Sequence, residues 1–210
     1  FNGVSRKGVA RINSDGTLDE TCGLGDGPDF SVHAVVMQRD GRVIIAGDFK
    51  NYDGVACEGV VRLNPDGSID KSFNSTLGFD DSVRCIALQE DGRIVIGGFF
   101  GHVGNVARGR IARLNPDGSL DGDFAVGAGA DGSIYSLAIQ SDGKILGGGS
   151  FSHFNGLSRN GLVRLTESGG IDPTVNFGTG ANGSVLYIEI RPNFKVLIAG
   201  GFTIFNGENR

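Results

Sequence analysis

The chain repeats itself every 51 residues, and this repeat constrains its fold more than any other feature of the sequence. The motif Asn-x-Asp-Gly and a weaker fourth copy begin at this fixed step, at residues 13, 64, 115 and 166. Four units without insertion or deletion account for 204 residues, and the last six residues restart the pattern. Self-similarity at this period indicates similar units that stack on one another to bury a shared core.

Within a unit, the apolar residues follow the pattern of β-strands. The run SVRCIALQ (82–89) is joined by Glu-Asp-Gly to RIVIGGFF (93–100), and an Asp-Gly link between apolar runs predicts a hairpin. GRIARLN (109–115) and SLDGDF (119–124) flank Pro-Asp-Gly as a second hairpin. No segment has a helical period, and the 37 Gly residues would destabilise helices. We therefore expect four short antiparallel strands per unit, named A, B, C and D in chain order.

Four-stranded sheets repeated at this spacing predict an all-β fold, a β-propeller whose blades cover one another. We predict a single domain over 1–210. Its repeat units lie at about 1–51, 52–102, 103–153 and 154–204, and a further unit starts at 205–210.

The phase of the repeat bears on how the propeller closes. The chain starts in a C strand and ends just after a B strand, so the last blade would be shared between the termini. Strands 184–191 and 195–202 would pair with 8–13 and 17–22. Such a clasp would close a ring of four blades and leave no free strand edge. The competing interpretation is that the chain is part of a longer array with more blades.

The order of residues in the unit resembles the delta-60 repeat family of bacterial β-propeller proteins, and more loosely NHL-repeat propellers. The resemblance rests on V-x-x-I-A-[LI]-Q-x-D-G-[RK]-[IV]-[LIV]-x-G-G-x-F followed by R-[IL]-A-R-L-N-x-D-G-S-[LI]-D-x-x-F. It covers the whole chain and is weakest where TESGGID (166–172) and RPNFK (191–195) lose their Asp-Gly pairs. The resemblance implies exported or surface-exposed bacterial proteins with many tandem copies and no agreed activity.

The repeated Asn-x-Asp-Gly loop is similar to half of a calcium-binding loop, but its ligand positions do not fit. Aligning Asp66 and Gly67 with positions 5 and 6 puts Arg62 at position 1 and Phe73 at position 12, where carboxylates are required. We interpret the motif as a hairpin turn, in which Gly supplies a positive φ. Arg62 and Asp70, on opposite strands of that hairpin, are predicted to form an ion pair that recurs in every unit.

Other features argue against several classes of function. The net charge of −5 argues against nucleic-acid binding, and no apolar run of 18 residues predicts membrane insertion. Cys22, Cys57 and Cys85 share no spacing, so we expect small semi-buried side chains and no disulfide framework or zinc motif. GAGADG (127–132) and GTGANG (178–183) match a dinucleotide-binding pattern, but a strand follows each where a helix is required. We therefore expect no cofactor, no metal and no catalytic residue.

A meander of four strands predicts two different faces. The A–B and C–D turns are tight and nearly identical between units, whereas the B–C and D–A connections on the other face are longer and more variable. Because binding residues are usually carried on loops, we predict that this long-loop face binds a ligand. The candidate residues are Lys50, Asn51, His102, Arg108, His153 and Arg159 on B–C loops and Asp80, Asp81 and Asp131 on D–A loops.

Two groups of side chains on these strands and loops have simpler interpretations. His102 and His153 lie one repeat apart and could bind a metal or a sugar hydroxyl, but they are more simply solvated loop residues. His33, alone on an A strand, is interpreted as a packing residue. The aromatic residue of the Phe-Asn-Gly motif is predicted to fill space between blades, at Phe1, Tyr52, Phe154 and Phe205, and Val103 is the exception.

Near-identical loops repeated around a ring would suit a repetitive ligand such as a glycan, bound through several weak contacts. We predict a non-catalytic binding or adhesion module, secreted or at the cell surface as the resemblance implies, with a glycan or surface protein as partner. One alternative is a hydrolase or lyase acting on glycans, which would need a cluster of unpaired acids and bases. Another is a purely structural spacer in a longer repeat array or assembly.

Overall fold

The computed structural model of the chain describes residue 3 and residues 5–74, 76–192 and 195–210. Regular structure in these residues consists of short β-strands, and no helix among them is long and apolar enough to cross a bilayer. The strands are β1 Val32–Met37, β2 Val43–Gly47, β3 Asn51–Tyr52, β4 Val55–Ala56, β5 Val60–Leu63, β6 Val83–Leu88, β7 Ile94–Gly98, β8 His102–Val103, β9 Val106–Ala107, β10 Ile111–Leu114, β11 Ile134–Ile139, β12 Ile145–Gly149, β13 His153–Phe154, β14 Leu157–Ser158, β15 Leu162–Leu165, β16 Val185–Ile190, β17 Val196–Gly200, β18 Ile204–Phe205 and β19 Glu208–Asn209.

Three antiparallel sheets form the first, second and third blades, with the strand orders β1–β2–β5, β6–β7–β10 and β11–β12–β15. These strands are the predicted A, B and C strands, with B in the centre, so this part of the prediction is confirmed. In the first blade, Val43 lies opposite Leu63 and Ala46 lies opposite Val60. The fourth blade consists of β16 and β17 in the described residues.

The predicted D strand is reduced to one isolated bridge per unit, such as that between Leu63 and Ile69. The chain turns directly after this bridge. The Asp70 carboxylate accepts a hydrogen bond from the Ser72 N–H at 2.9 Å, and the Asp70 carbonyl accepts one from the Phe73 N–H at 3.2 Å. Aspartate that bonds the backbone two residues ahead favours a turn over a continued strand. Each of the first three blades therefore has three strands where four were predicted.

A small hairpin, which was not predicted, is built into each B–C loop: β3–β4, β8–β9, β13–β14 and β18–β19. At the tip of the first hairpin, Asp53 and Gly54 both have positive φ, at 49° and 75°. This is the requirement of a two-residue hairpin turn whose twist matches that of its strands. The hairpins give the variable loops a regular scaffold.

The hydrophobic core lies between neighbouring blades, because each sheet has two apolar faces. Ile44 and Ala46 of the first blade pack against Ile94 and Ile96 of the second, and all four are fully buried. Ile45, between the first two, points to the opposite face and belongs to a different cluster. Successive residues of one strand thus serve different blade interfaces.

Two predictions about buried side chains are confirmed. The three cysteines are buried and unpaired: Cys22, Cys57 and Cys85. Tyr52 and Phe154 are fully buried, as expected for side chains that fill space between blades, whereas Phe205 is half-buried. Phe1 and the divergent turn at 193–194 lie outside the described residues.

The predicted clasp between the two termini is not formed by the described residues. The strand segment at 9–12 pairs with no strand: Ile12 bridges only Leu18. The A strands are neighbours in chain order, β1 with β6, β6 with β11 and β11 with β16, and no comparable contact joins β16 to β1. Within the described residues, the first and last blades therefore share no paired strand.

Candidate functional site

The two faces of the blade array differ as predicted. On one face the A–B and C–D turns meet, since Nε of Arg42 lies 3.4 Å from Oδ2 of Asp70. On the other face, the B–C hairpin meets the D–A loop through the bridge between Tyr52 and Pro28. The long-loop face is therefore built from B–C hairpins and the ends of the D–A loops that lie beside them.

The repeated Asn-x-Asp-Gly motif is a hairpin turn, as predicted. The Gly67 N–H donates to the Asn64 carbonyl at 2.9 Å, and Gly67 has a φ of 90°. The Asp66 carboxylate accepts from the Ser68 hydroxyl at 2.7 Å and from its N–H at 2.9 Å. These two bonds lower the pKa of Asp66. The carboxylate is used within its own turn, which accounts for the motif without a bound cation.

The predicted Arg–Asp ion pairs are present in every unit, with Nε–Oδ2 distances of 2.8, 2.8, 2.7 and 2.8 Å for Arg11–Asp19, Arg62–Asp70, Arg113–Asp121 and Arg164–Asp172. Arg113 also donates from Nη1 to the Glu167 carbonyl of the next blade at 2.5 Å. Its guanidinium stacks 4.6 Å from the centre of the Phe124 ring. The pair thus links a hairpin to its neighbour and is a scaffold feature.

Aspartates of the D–A loops brace the B–C hairpins of the same blade. Asp131 accepts hydrogen bonds from the N–H groups of Ser152 and His153, both at 2.9 Å, and its Oδ2 lies 3.2 Å from His153 Nδ1. Burial raises the pKa of Asp131, but these bonds outweigh it and lower the pKa to about 2. Asp80 braces Gly101 and His102 in the same way, with a 2.9 Å contact to His102 Nδ1.

The structure distributes the nine candidate residues over three blades. His102 and His153 each pair with the aspartate of their own blade, and Asn51 Nδ2 donates to Asp29 at 2.8 Å in the equivalent place. Arg108 and Arg159 bond the carbonyl of the preceding residue. Within the described ranges there is no group of three or more His, Cys, Asp or Glu side chains placed to hold a metal.

Three of the candidates come together. Lys50, Asp80 and Asp81 line a pocket of about 360 Å³ on the long-loop face, between the first and second blades. Its remaining walls are Gly47, Asp48, Phe49, Glu58, Gly59, Phe79 and Ser82.

Four charged residues of this pocket are not repeated at the other blade interfaces: Asp48, Lys50, Glu58 and Asp81. Their equivalents one repeat later are Phe99, Gly101, Gly109 and Gly132. Two repeats later they are Ser150, Ser152, Asn160 and Gly183. Charge is therefore concentrated at one of several equivalent places.

A polar cluster on the inner rim, beside this pocket, was missed in the sequence. His33 Nε2 lies 2.7 Å from Asp48 Oδ2, and the Ser82 hydroxyl donates to the other oxygen of Asp48. Arg84 Nη1 lies 2.8 Å from His33 Nε2, and its guanidinium stacks 4.4 Å over the Phe99 ring. Burial raises the pKa of Asp48, but the bonds from Ser82 and His33 outweigh it and lower the pKa overall. His33 is thus part of a charged network, which corrects its interpretation as a packing residue.

The sequence does contain an indication of this cluster, because His33 and Arg84 occupy a position at which the repeat is not kept. Its A-strand position holds four different residues in the four units: His33, Arg84, Tyr135 and Leu186. The preceding position repeats closely, as Val32, Val83, Ile134 and Val185, because its side chain packs between blades. Side chains from all four A strands line a central cavity of about 610 Å³. The inner rim is therefore where equivalent positions from different blades face one another.

Antiparallel sheets stacked face to face, with their first strands around a common cavity, define the β-propeller class. The chain belongs to the family described as "Domain of unknown function (DUF5122) beta-propeller", whose model matches residues 1–21, 38–73, 89–124 and 140–174. No curated protein matches the chain significantly.

Solved structures with a similar fold are also propellers, all at low sequence identity. Gluconolactonase XC5397 from Xanthomonas campestris has a TM-score of 0.57 and 17% identity, covering 91% of this chain and 62% of its own. The WD40 β-propeller domain of Doa1 has a TM-score of 0.53 and 15% identity, and the match covers 81% of this chain and 48% of the Doa1 chain. The extracellular domain of BT4673 from B. thetaiotaomicron has a TM-score of 0.52 and 15% identity, and the match covers 89% of this chain and 22% of that domain. The chain thus spans less than two thirds of each, and the likeness concerns the fold alone.

Proposed function

We propose that this propeller is a non-catalytic binding module that takes a hydroxyl-rich ligand, such as a glycan, in the pocket between its first two blades. The observation that carries this proposal is the set of four charged lining residues that the other blade interfaces lack. The pocket's volume of about 360 Å³ lies within the usual range of small-molecule sites. Residues that build the scaffold recur in every unit, so unrepeated charge points to a ligand.

The chemistry of the lining suits sugar hydroxyls. Asp81 and Glu58 are exposed carboxylates that can accept hydrogen bonds, and Lys50 can donate them. Phe79, a half-buried residue in the wall of the same pocket, provides an apolar surface for the face of a sugar ring.

Binding is favoured over catalysis because the half-buried acid of this region, Asp48, is already hydrogen-bonded. Asp48 is bonded to Ser82 and His33 and is held ionised by them, so it is not free to act as a general acid. A secreted or surface location is supported by the resemblance to delta-60 repeat proteins. The likeness to the extracellular domain of BT4673 supports it at the level of fold.

The test is an array of bacterial surface polysaccharides probed with the 210-residue chain, followed by calorimetry with the best oligosaccharide. Glu58→Gly and Asp81→Gly install the residues that the second interface carries at these positions. We expect the double variant to bind at least about tenfold more weakly, equivalent to roughly 1.4 kcal/mol. Glu90→Gln, an exposed change on the short-turn face, should bind normally. The proposal is overturned if no glycan binds the intact chain, or if the double variant binds as tightly as the original.

A further inference from the structure

The charges that line the pocket between the first two blades are unbalanced. The lining holds one ammonium group, that of Lys50, and four carboxylates, those of Asp48, Glu58, Asp80 and Asp81. Burial raises the pKa values of Asp48 and Asp80, but hydrogen bonds outweigh it and lower both. These two groups are therefore ionised at neutral pH, and the pocket favours a cation over an anion.

Two of these carboxylates have no basic side chain beside them. Asp48 and Asp80 each lie next to a histidine, but no basic side chain of the described residues forms an ion pair with Glu58 or Asp81. The Asp81 carboxylate accepts a hydrogen bond from the N–H of Ser82 at 2.7 Å. Glu58 and Asp81 are both exposed, so their charges are available to pair with an ammonium group of a ligand.

The surroundings of Glu58 indicate that its charge is not part of the scaffold. Its Oε2 reaches the loop that leads into the second blade, where a Cβ added to Gly78 would lie 2.6 Å from it. Between the third and fourth blades, the equivalent Asn160 donates from Nδ2 to the Thr179 carbonyl at 2.8 Å. A carboxylate has no proton to donate and cannot replace that bond. Glu58 therefore cannot tie the blades in this way, and its charge lines the pocket instead.

An aromatic ring that the other blade interfaces do not repeat lies close to Glu58. A Cβ added to Gly59, the next residue, would lie 3.5 Å from Cδ2 of Phe79. The residues equivalent to Phe79 at the two later interfaces are Ala130 and Ala181. An ammonium group binds favourably where a carboxylate and the face of an aromatic ring lie together. The ring is independent of the charges, and both indicate a site for an organic amine.

We propose, as an inference that rests on the proposed function, that the glycan bound in this pocket is an amino sugar whose amine is free and protonated. Glu58 and Asp81 hold the ammonium group, and Phe79 packs against the adjoining face of the sugar ring. A sugar with an acetylated amine binds more weakly, because it brings no positive charge to the two carboxylates. An acidic sugar is disfavoured further, because its own carboxylate would lie close to theirs.

The test uses every member of the polysaccharide array in two forms, untreated and N-acetylated with acetic anhydride, with glucosamine oligomers included as free-amine members. At about pH 6, the carboxylates are ionised and sugar amines are mostly protonated. We expect the chain to bind free-amine glycans, and N-acetylation to weaken each by at least about tenfold in calorimetry. Suppose instead that a glycan without an amine binds, and that Glu58→Gly with Asp81→Gly abolishes its binding. This inference is then overturned while the proposed function stands. If no glycan binds, both fail.

Variants of matched shape separate charge from packing. Glu58→Gln and Asp81→Asn should each weaken binding of the free-amine oligosaccharide by at least about fivefold. Lys50→Gln keeps a hydrogen-bond donor but removes the positive charge, so it should strengthen that binding by about twofold. Glu90→Gln, on the short-turn face, should bind as the original chain does. The proposal is wrong if Lys50→Gln weakens binding of the free-amine form, or if both forms of the oligosaccharide bind equally well.

Discussion

One residue pair, an arginine and an aspartate eight positions apart, occurs at very different depths in the four units. The side chain of Arg113 is 5% exposed and that of Asp121 is 6% exposed. The side chain of Arg11 is 42% exposed, although its Nε lies at an almost identical distance from Asp19. Ion pairs of the same geometry contribute differently to stability, because losing one partner of a buried pair leaves an uncompensated charge.

Arg113→Ala should therefore lower the free energy of unfolding by roughly 3 kcal/mol, since the buried Asp121 carboxylate loses its closest partner and keeps only the more exposed Arg93, whose Nε lies 3.5 Å away. Arg11→Ala should lower it by about 1 kcal/mol or less. Urea unfolding followed by circular dichroism measures both, at a concentration where light scattering shows monomer. Equal losses in the two variants would mean that burial does not set the strength of the pair.

The sequence predicted this pairing but could not predict its depth. Eight residues across a tight turn place Arg113 and Asp121 side by side, and this local geometry is readable from the repeat. Arg11 and Arg113 both donate to a carbonyl of the next unit, at Pro65 and Glu167, so that contact does not set the depth. Arg113 is also covered by its own blade, since its Nη1 donates to the Gln89 side chain at 3.2 Å. That contact spans 24 residues and joins two different hairpins, so the local pattern does not show it.

At the scale of the element, the Asn-x-Asp-Gly turn shows how one motif meets different surroundings. Gly16 and Gly118 have the same φ of +86°, a left-handed conformation that side chains disfavour. A Cβ on Gly16 would meet no atom within 4 Å. A Cβ on Gly118 would lie 2.7 Å from the carbonyl oxygen of Asn74, which belongs to the preceding D segment. The turn at Gly118 is thus a point of contact between blades.

Gly16→Ala should cost about 1–2 kcal/mol of stability, from backbone conformation alone. Gly118→Ala should cost about 1–3 kcal/mol more, because Asn74 must move away from the new methyl group. Thermal and urea unfolding of the two variants provide the comparison. Matching losses would show that the turn geometry alone explains the glycine, and would remove its assigned role in the blade contact.

The elements that the sequence predicted well are those set by local pattern. Apolar alternation and Asp-Gly links located A, B and C, whereas the D strand was predicted at 119–124 and is a single bridge in the structure. Its alternating residues satisfied the strand pattern, but Asp121 accepts from the Asp123 N–H at 2.9 Å and turns the chain. The hydrogen bond from the Asp123 N–H to the Asp121 side chain therefore ended the strand, although the alternation of apolar residues continued. The B–C hairpins were missed because two residues per strand are too few to show a period.

At the scale of the whole molecule, the repeat predicted stacked blades correctly, whereas the predicted clasp between the termini is not formed by the described residues. Closure depends on the angle between blades, which is set by how side chains of β1, β6, β11 and β16 pack around the central cavity. Those inner positions vary most between units, so no periodic signal encodes the angle. The same variation identifies His33 and the charged pocket beside it. The variable positions that prevent a prediction of closure are therefore also the positions that support the proposed function.

A final whole-molecule property follows from repeating one carboxylate four times. The pKa is lowered at each copy: Asp19, Asp70, Asp121 and Asp172. At Asp172, hydrogen bonds from the Thr174 N–H and hydroxyl, helped by Arg164, lower the pKa from 3.8 to about 2. A carboxyl group with a lower pKa in the folded state stabilises the protein when it is ionised. This stability is fully present above the unfolded value of 3.8 and is lost as the pH falls towards 2.

The melting temperature should therefore fall steeply between pH 4 and about pH 2, the interval over which Asp172 is protonated, and the lowered pKa values of its equivalents act in the same direction. Asp172→Asn keeps the shape of the side chain but removes the titration. Its melting temperature should lie below that of the original chain at pH 7, depend less on pH, and converge with it near pH 2. Asp123→Asn, at an exposed position, should follow the original chain throughout. Circular dichroism melts across this range decide the matter, because an Asp172→Asn curve parallel to the original would place the acid sensitivity elsewhere in the molecule.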